Sequence, residues 1–536
     1  MKREKLIIND PNMYEYFEEE AYMIFSKLCQ EEEDTAKGPN QLSFYGVNRI
    51  YKSLSVIYET EDVEEELCLI ENVLNILDSY VKIEGLEHLL INNYASIENG
   101  IFLEHSPDGN PKRIREHYKH QFRNAYLGLL MLDRLHIDDC IVECFMDECS
   151  EYANYVMSSL DKTRKSDKRE QKEILKEIIY KTYLISALFH DIGYPLAYYF
   201  RIADEILEFT PFFKIINPVV KGEFTEIRAM LNNSLLFRTV DNKKISKKYQ
   251  DSDHGCLSAL SFLMNFYFSG SIYNFASKER CIIEMAAIAI FKHTDRYDDR
   301  NRMLFSHDPI SYLLRVCDDM QEWQRFLTVI GRTHNYLQCN ICGKIIKPDE
   351  KDSDLYSCNC GKQFYKITQM DNKKINYIDI CDALTLEAAG NRITISFMYN
   401  VYSQLELLVN DYEAVIYRAK GLERLEHMLS FQKYFPEIQL QYFLSNNPIA
   451  LIEDMMAEKG KDLESLKVWV LGIESETKRK NMEKFLECFE NGVTNKERVF
   501  GKQLEKNSVR YAREARQFVE DYMGEIHMLK NYLDGF

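Results

Sequence analysis

Apolar residues recur at three- and four-residue steps through "MYEYFEEEAYMIFSKLCQ" and again through "VEEELCLIENVLNILDSYV". This spacing predicts amphipathic helices over most of the stretch from Asp10 to about Ser96. Between them "EDTAKGPNQ" carries Gly38 and Pro39 and reads as a loop. A second loop, "HSPDGNPKR" at 105–113, closes an N-terminal helical region assigned to 1–110. From 111 to 335 apolar helical runs alternate with polar stretches. "DKTRKSDKREQK" (161–172) reads as a solvated connection or an exposed helix face. "INPVVKGEFTEIRAMLNNSLLFRTVDNKKISKKYQ" is long for a connector, and is either a lid or specificity element or additional core helix.

The period changes after Arg332. Within 336–400 a cysteine-bearing stretch is followed by "INYIDICDALTLE", Gly390-Asn391 and "RITISFMY", two β-rich runs about a turn that predict a hairpin. From Val401 the pattern is read as helix again to the end of a C-terminal region, 401–536, with a long charged and apolar pattern from Lys478 to about Tyr532. The expected fold class is therefore mainly α, a helical bundle with an appended β module and a helical C-terminal region. No repeat of fixed period stands out.

Composition supports a packed, helical chain. Of 536 residues 46% are hydrophobic, with 35 tyrosines and 30 phenylalanines against 11 prolines. The formal net charge of −18 argues against duplex nucleic acid as the main partner, because phosphate contacts need cations. "MKREKLIIND" lacks the apolar core of a secretion signal, and no run of eighteen apolar residues occurs, so a cytoplasmic location with no membrane partner is expected. In that setting the 14 cysteines are buried thiols or metal ligands in preference to disulfides.

Candidate chemistry is concentrated in the central section. His120 lies in "REHYKHQFRNAYLGLLML", His190 and Asp191 in "ALFHDIGYP", His254 in "DSDHGCLSALSFL", His293 in "EMAAIAIFKHTDRY", and Asp318 and Asp319 in "YLLRVCDDMQEW". A single buried histidine is more often a hydrogen-bonded core residue than a ligand. The ordered set is different, since unrelated core histidines have no reason to fall at the ends of successive apolar helices, where side chains from several helices converge. Imidazole with carboxylate suits Mn, Fe, Co, Ni or Zn, and more oxygen shifts the preference toward Mn or Mg. Neighbouring side chains at a helix end diverge by about 100°. His190 can therefore serve one ion while Asp191 reaches between two, and Gly193 and Pro195 are expected to turn the chain away and leave the site open.

At these residues, over roughly 110–330, the sequence resembles the HD superfamily of metal-dependent phosphohydrolases, an all-helical group named for its histidine-aspartate doublet. The resemblance implies an HD-type bundle in which His120, His190, Asp191 and Asp318 form the H…HD…D ligand core. Asp318 is preferred to Asp319 because it ends the apolar run. His254 and His293 match the extra histidines that members with two or more metals carry between the doublet and the final aspartate. The resemblance further implies hydrolysis of phosphate esters or anhydrides by metal-activated water at one or two divalent ions, with Asp191 bridging and His254 assisting as ligand or general acid. Glu116, one helical turn before His120, is where some multi-metal members place another ligand, although a solvent-facing glutamate is the simpler reading. Tyr194 stands where many cyclic-dinucleotide phosphodiesterases of the superfamily carry a lysine, a departure from that branch. Arg123, Lys292 and Arg296 flank the ligand positions and are the candidate contacts to substrate phosphate.

"CNICGKIIKPDEKDSDLYSCNCGK" carries Cys339, Cys342, Cys358 and Cys360 as two short pairs, each followed by Gly-Lys, like the two knuckles of a zinc ribbon. The second pair is C-x-C, tighter than the usual C-x-x-C. Four thiolates would close the coordination sphere, so this zinc would be structural. The leading functional expectation is a nucleotide phosphohydrolase, foremost a (deoxy)nucleoside triphosphate hydrolase. The alternatives are a cyclic mono- or dinucleotide phosphodiesterase, or a non-catalytic nucleotide sensor. A second copy or a protein partner would be met through the ribbon and the C-terminal region. Some bacterial relatives of this broad kind deplete nucleotides in antiviral defence.

Overall fold

The computed structural model describes residues 4–17, 117–147, 152–159, 168–200, 224–295, 303–321, 381–399, 432–444, 448–494 and 508–534, short strands within 103–113 and 327–378, and a few helical positions between 412 and 429. The chain is mainly helical, with a small four-stranded sheet. It begins with a strand, β1 (Glu4–Ile8), and a short helix, α1 (Asp10–Glu15). The bundle then comprises α2 (His117–Arg134), α3 (Ile137–Met146), α4 (Ala153–Ser159) and α5 (Lys168–Phe189). It continues with α6 (Phe224–Leu231), α7 (Leu235–Thr239), α8 (Asn242–Gln250), α9 (His254–Ser269), α10 (Ser277–Lys292) and α11 (Pro309–Met320).

Two helices form the centre because the C-terminal half of α5 and most of α10 are largely apolar all round, with Lys181 and Glu284 as buried charges. In α5 every residue from Ile178 to Phe189 is buried, and in α10 every residue from Cys281 to Phe291. Helix α5 packs on α2 and α10, α9 packs on α10, and α11 closes over α2, α5 and α10. The ends are set by local chemistry. The Asp253 side chain accepts the Cys256 N–H to start α9, and Gly270, at φ 74°, ends it. Asp308 caps α11 ahead of Pro309. Of the long segment before His254, the described part folds as α6, α7 and α8, which bury Leu231, Leu235, Leu236, Ile245 and Tyr249. It is core helix, the plainer of the two readings.

The expected hairpin is present as β2 (Cys381–Ala389) and β3 (Arg392–Tyr399), antiparallel, with Ala389 opposite Arg392 and Gly390 at φ 63° in the turn. Two further strands join it. β1 pairs antiparallel with β2, Leu6 opposite Leu386, and β4 (Glu437–Leu444) runs parallel to β3. The expectation of unbroken helix after Val401 is therefore corrected at β4. "EIQLQYFL" alternates buried Ile438, Leu440 and Tyr442 with more exposed neighbours, the period of a strand. Beyond it lie α12 (Pro448–Glu458), α13 (Leu463–Leu471), α14 (Glu476–Thr494), α15 (Ser508–Asp521) and α16 (Met523–Asp534).

Sheet and bundle are joined by specific contacts. Phe435, just ahead of β4, packs its ring 4.7 Å from Phe305 and 5.2 Å from Tyr312. Phe305 N donates to Gln432 Oε1 at 3.0 Å, and Tyr434 Oη donates to Asp147 at 2.8 Å. Cys140, Cys144, Cys256, Cys281, Cys317, Cys381 and Cys488 are in no disulfide. No helix among the described residues is long and apolar enough to cross a membrane.

Candidate metal centre

Helix ends bring the six expected ligand residues to one place. His120 is in the first turns of α2, His190 and Asp191 follow the last residue of α5, and His254 is the first residue of α9. His293 caps the C-terminus of α10, and Asp318 lies in the last turn of α11. Three overlapping groups have ligand atoms within 4.8 Å of one another: His120 with His190 and Asp191, His190 with His293 and Asp318, and Asp191 with His254 and His293. Asp191 and His190 are shared between groups, so the cluster is continuous.

The separations are those of co-ligands. His190 Nε2 lies 3.6 Å from Asp191 Oδ2 and 3.8 Å from Asp318 Oδ1. His254 Nε2 and His293 Nε2 each lie 3.5 Å from Asp191 Oδ1. These gaps are long for hydrogen bonds. Two donors bound about 2.1 Å from one ion stand about 3.0–3.5 Å apart, close to the observed spacing.

The imidazoles are oriented by the helices that carry them. His190 Nδ1 donates to the Ala187 carbonyl at 2.8 Å and His293 Nδ1 to the Ile290 carbonyl at 2.6 Å, each three residues back. Carbonyls in the last turn of a helix have no intrahelical partner, so they fix these rings with the Nε2 lone pair facing inward. Both Nε2 atoms are buried and have no hydrogen-bond partner. Leaving such an atom unsatisfied costs about 1–3 kcal/mol. A cation among these donors would remove that cost, so the residues fit a divalent metal. His120 Nδ1 is bound by Gln321 Oε1, and its Nε2 faces Asp318 Oδ1 at 2.8 Å. With the Nδ1 hydrogen on Gln321, two lone pairs meet across that gap, which a proton or a metal ion would satisfy.

Charge is arranged to match. Burial pushes His190 down to about 4 despite Asp191 and Asp318 nearby, and pushes His254 down to about 4 as well. Burial also opposes ionisation of Asp191, but His190, His293 and His254 outweigh it and hold its carboxyl well below the usual range. Asp318 is held well below it too, against burial, chiefly by His120. Two anionic carboxylates beside neutral imidazoles are a donor set for a divalent cation.

Two glycines let these elements close up. A Cβ on Gly193 would stand 2.3 Å from Ser258 N and 2.8 Å from the His254 carbonyl oxygen. Gly193 N donates to Ser258 Oγ at 2.8 Å, so the segment after the doublet lies directly on the first turn of α9. Gly193 thus serves close approach: the chain turns over residues 190–193 and then enters a helix described over 194–200. A Cβ on Gly255 would reach 2.6 Å from Thr294 Oγ1 and 3.0 Å from His293 Cε1.

Several supporting residues went unread in the sequence. Asp253 accepts from Thr294 Oγ1 at 2.7 Å as well as capping α9. Lys248 donates to Thr294 Oγ1 at 2.7 Å and to the Phe291 carbonyl at 3.0 Å, and pairs with Asp253 at 3.3 Å and Asp295 at 3.0 Å. This network ties α8, the start of α9 and the end of α10, and sets the His254 and His293 rings 5.1 Å apart. The N-cap role of Asp253 was legible beside His254, and Gln321 lies one turn after Asp318.

Other expected site residues are placed elsewhere or lie outside the described segments. Asp319 pairs with Arg315 at 2.7 Å, which leaves Asp318 as the carboxylate in the cluster. The structure turns two of the expected phosphate contacts to other partners. Arg123 grips Asp10 through two bonds of 2.8 and 2.6 Å and fastens α1 to α2. Lys292 pairs with Asp308 at 2.9 Å and donates to Tyr152 Oη at 2.5 Å, because one step along α10 from His293 points about 100° away. Arg296, Glu116, Cys342, Cys358 and Cys360 lie outside the described residues, and Cys339 ends a strand, Thr333–Cys339, described by its backbone. Comparison of the chain with protein-family models, curated proteins and solved structures finds no match.

Proposed function

We propose that this chain is an HD-type, metal-dependent phosphohydrolase acting on nucleotides, foremost a (deoxy)nucleoside triphosphate hydrolase. The observation that carries the reading is the pair of buried, unpartnered Nε2 atoms of His190 and His293 facing the carboxylates of Asp191 and Asp318. Such an arrangement is costly without a cation and useful with one. His120, His190, Asp191 and Asp318 would hold one ion, and His254 and His293 with Asp191 a second. When bound, such ions supply Lewis acidity that lowers the pKa of a water toward neutrality and offsets charge on a phosphoryl group.

The remaining work falls to the chain itself. Asp191 is central: its Oδ1 faces His254 and His293, its Oδ2 faces His190, and its depressed pKa keeps it anionic as a shared ligand. The carbonyls of Ala187 and Ile290 keep the inner imidazoles in one tautomer. Phe189 and Ile192, which flank the doublet in sequence, and Ile290 are buried, as are His190 and His293 themselves. Burial lowers the pKa of His254 to about 4, which favours the neutral ring and a role as ligand or proton acceptor at Nε2.

The test is a panel of nucleotides incubated with Mn2+-loaded protein, with phosphate, triphosphate and nucleoside products separated by chromatography. His190→Ala and Asp191→Ala should each abolish hydrolysis and lower bound metal while the circular dichroism spectrum is retained. Turnover surviving in both variants would reject the site.

A further inference from the structure

The ligand side chains are not equally covered. His190 and His293 are 0% and 1% exposed and Asp191 10%, whereas His254 is 27% exposed, the most open of the six. His254 is thus the most open side chain of the cluster, ahead of Asp318 at 16% and His120 at 13%. Against that ring stands Tyr194, its ring centroid 5.2 Å away and tilted by 57°. One helical turn later comes Tyr198, 39% exposed, on the same side of helix 194–200 because four residues return nearly to the starting angle. Ala197 and Phe200 form the buried side of this helix, so Tyr198 stands on its outer side.

The described turns of this helix are placed by the backbone that carries His190 and Asp191. Tyr194 N donates to the Asp191 carbonyl at 2.9 Å, Ala197 N donates to the Gly193 carbonyl at 2.9 Å, and Gly193 N is pinned to Ser258. The two tyrosines are therefore held in fixed relation to Asp191, about 6 Å apart along the helix axis, Tyr194 against the His254 ring and Tyr198 exposed. A chain of net charge −18 gains little from long-range attraction of an anionic substrate. Uncharged stacking on the organic part of the substrate supplies affinity without that penalty, and suits planar heterocycles of any sequence.

We infer that Tyr194 and Tyr198 form a stacking site for a nucleobase, which selects nucleotides over other phosphate esters at this centre. The inference rests on the phosphohydrolase reading above and names the residues that select its substrate. It is tested by calorimetric titration of Mn2+-loaded protein with 2′-deoxyadenosine 5′-monophosphate and with 2-deoxyribose 5-phosphate, which differ only by the base. Wild-type protein should bind the nucleotide at least about tenfold more tightly. Tyr198→Ala and Tyr194→Leu should each reduce that preference to below about threefold with sugar-phosphate affinity kept, and Tyr194→Phe should preserve it. Tyr199→Ala, an exposed neighbour about 100° round the helix, should leave it unchanged. Equal binding of both ligands by wild-type protein, equal loss for both ligands in the variants, or the same effect from Tyr199→Ala would overturn the assignment. If the base preference is absent while the nucleotide panel still shows hydrolysis, the stacking site falls and the hydrolase reading stands. A base preference with no hydrolysis of any phosphate ester would do the reverse, and failure to bind either ligand counts against both.

Discussion

Replacing Gly193 by alanine probes the coupling between fold and site most directly. The added Cβ would stand 2.3 Å from Ser258 N, 2.7 Å from Leu257 C and 2.8 Å from the His254 carbonyl oxygen, all backbone atoms of α9. Ordinary contact begins near 3.4 Å, so the loop and the helix must separate by about 1 Å. No side-chain rotation relieves the clash, and overpacking of this kind costs about 1–3 kcal/mol. The same separation acts between Asp191, two residues before the glycine, and His254, which opens α9 and whose Nε2 now lies 3.5 Å from Asp191 Oδ1. Metal sites tolerate about 0.2 Å in ligand distance. Gly193→Ala should therefore lower bound Mn2+, measured by mass spectrometry of the dialysed protein, from two ions per chain to one. The ion held by His120, His190 and Asp318 should remain. Misplacement by about 1 Å costs on the order of a hundredfold in turnover, so product release should fall by about that factor, with a thermal midpoint only a few degrees lower. Gly524→Ala, whose Cβ would meet nothing within 4 Å, is the control. Full metal content and wild-type turnover in Gly193→Ala would refute the claim that this contact sets the site.

Acid should destabilise the metal-free protein above the range of ordinary carboxylates. His190 and His254 stay neutral in the fold down to about 4, against 6.5 for a free imidazole. Between these values the unfolded chain binds more protons, so stability falls as pH drops, by up to about 3 kcal/mol per histidine. Asp191 and Asp318, with depressed folded pKa values, add a stabilisation that is present above about pH 4 and lost below it as they protonate. Urea unfolding with chelator present, at pH 7.5 and pH 5, should show a lower midpoint at pH 5; an equal or higher one contradicts the assignment. Gln321→Leu removes the acceptor at His120 Nδ1 and should weaken metal binding about 10- to 100-fold, read by competition with a chromogenic chelator. Cys339→Ser with Cys342→Ser should remove a zinc ion that persists in His190→Ala; unchanged zinc would reject the ribbon.

Why the ligands were legible and their support was not follows from where each signal resides. A histidine or aspartate at the end of an apolar run is a local anomaly, visible in "ALFHDIGYP" and "YLLRVCDDMQEW" without knowledge of the partner helix. The supporting bonds are products of packing. Lys248 reaches Thr294, 46 positions away in sequence, and His120 meets Gln321 across 201 positions. Arg123 and Lys292 are each near one of the clustered side chains along the chain, but packing pairs Arg123 with Asp10 of α1, and Lys292, about 100° round α10 from His293, with Asp308. The strands divide in the same way. The β2–β3 hairpin carries its own turn at Gly390, whereas β1 pairs with residues 384–388 and has no local turn to announce it.

The same division bears on function. The identity of the clustered side chains sets which ions they could hold, and that identity and order are readable in the sequence. Substrate choice depends on what stands around the open edge, and helix 194–200 is there because Gly193 permits backbone contact with α9. With any other residue at 193, the doublet would still read as a ligand pair in sequence, but Asp191 and His254 would be pushed apart and Tyr194 would leave its place beside the His254 ring. One glycine thus links the metal geometry to the surface that a substrate meets, so a single substitution should disturb metal content and substrate preference together.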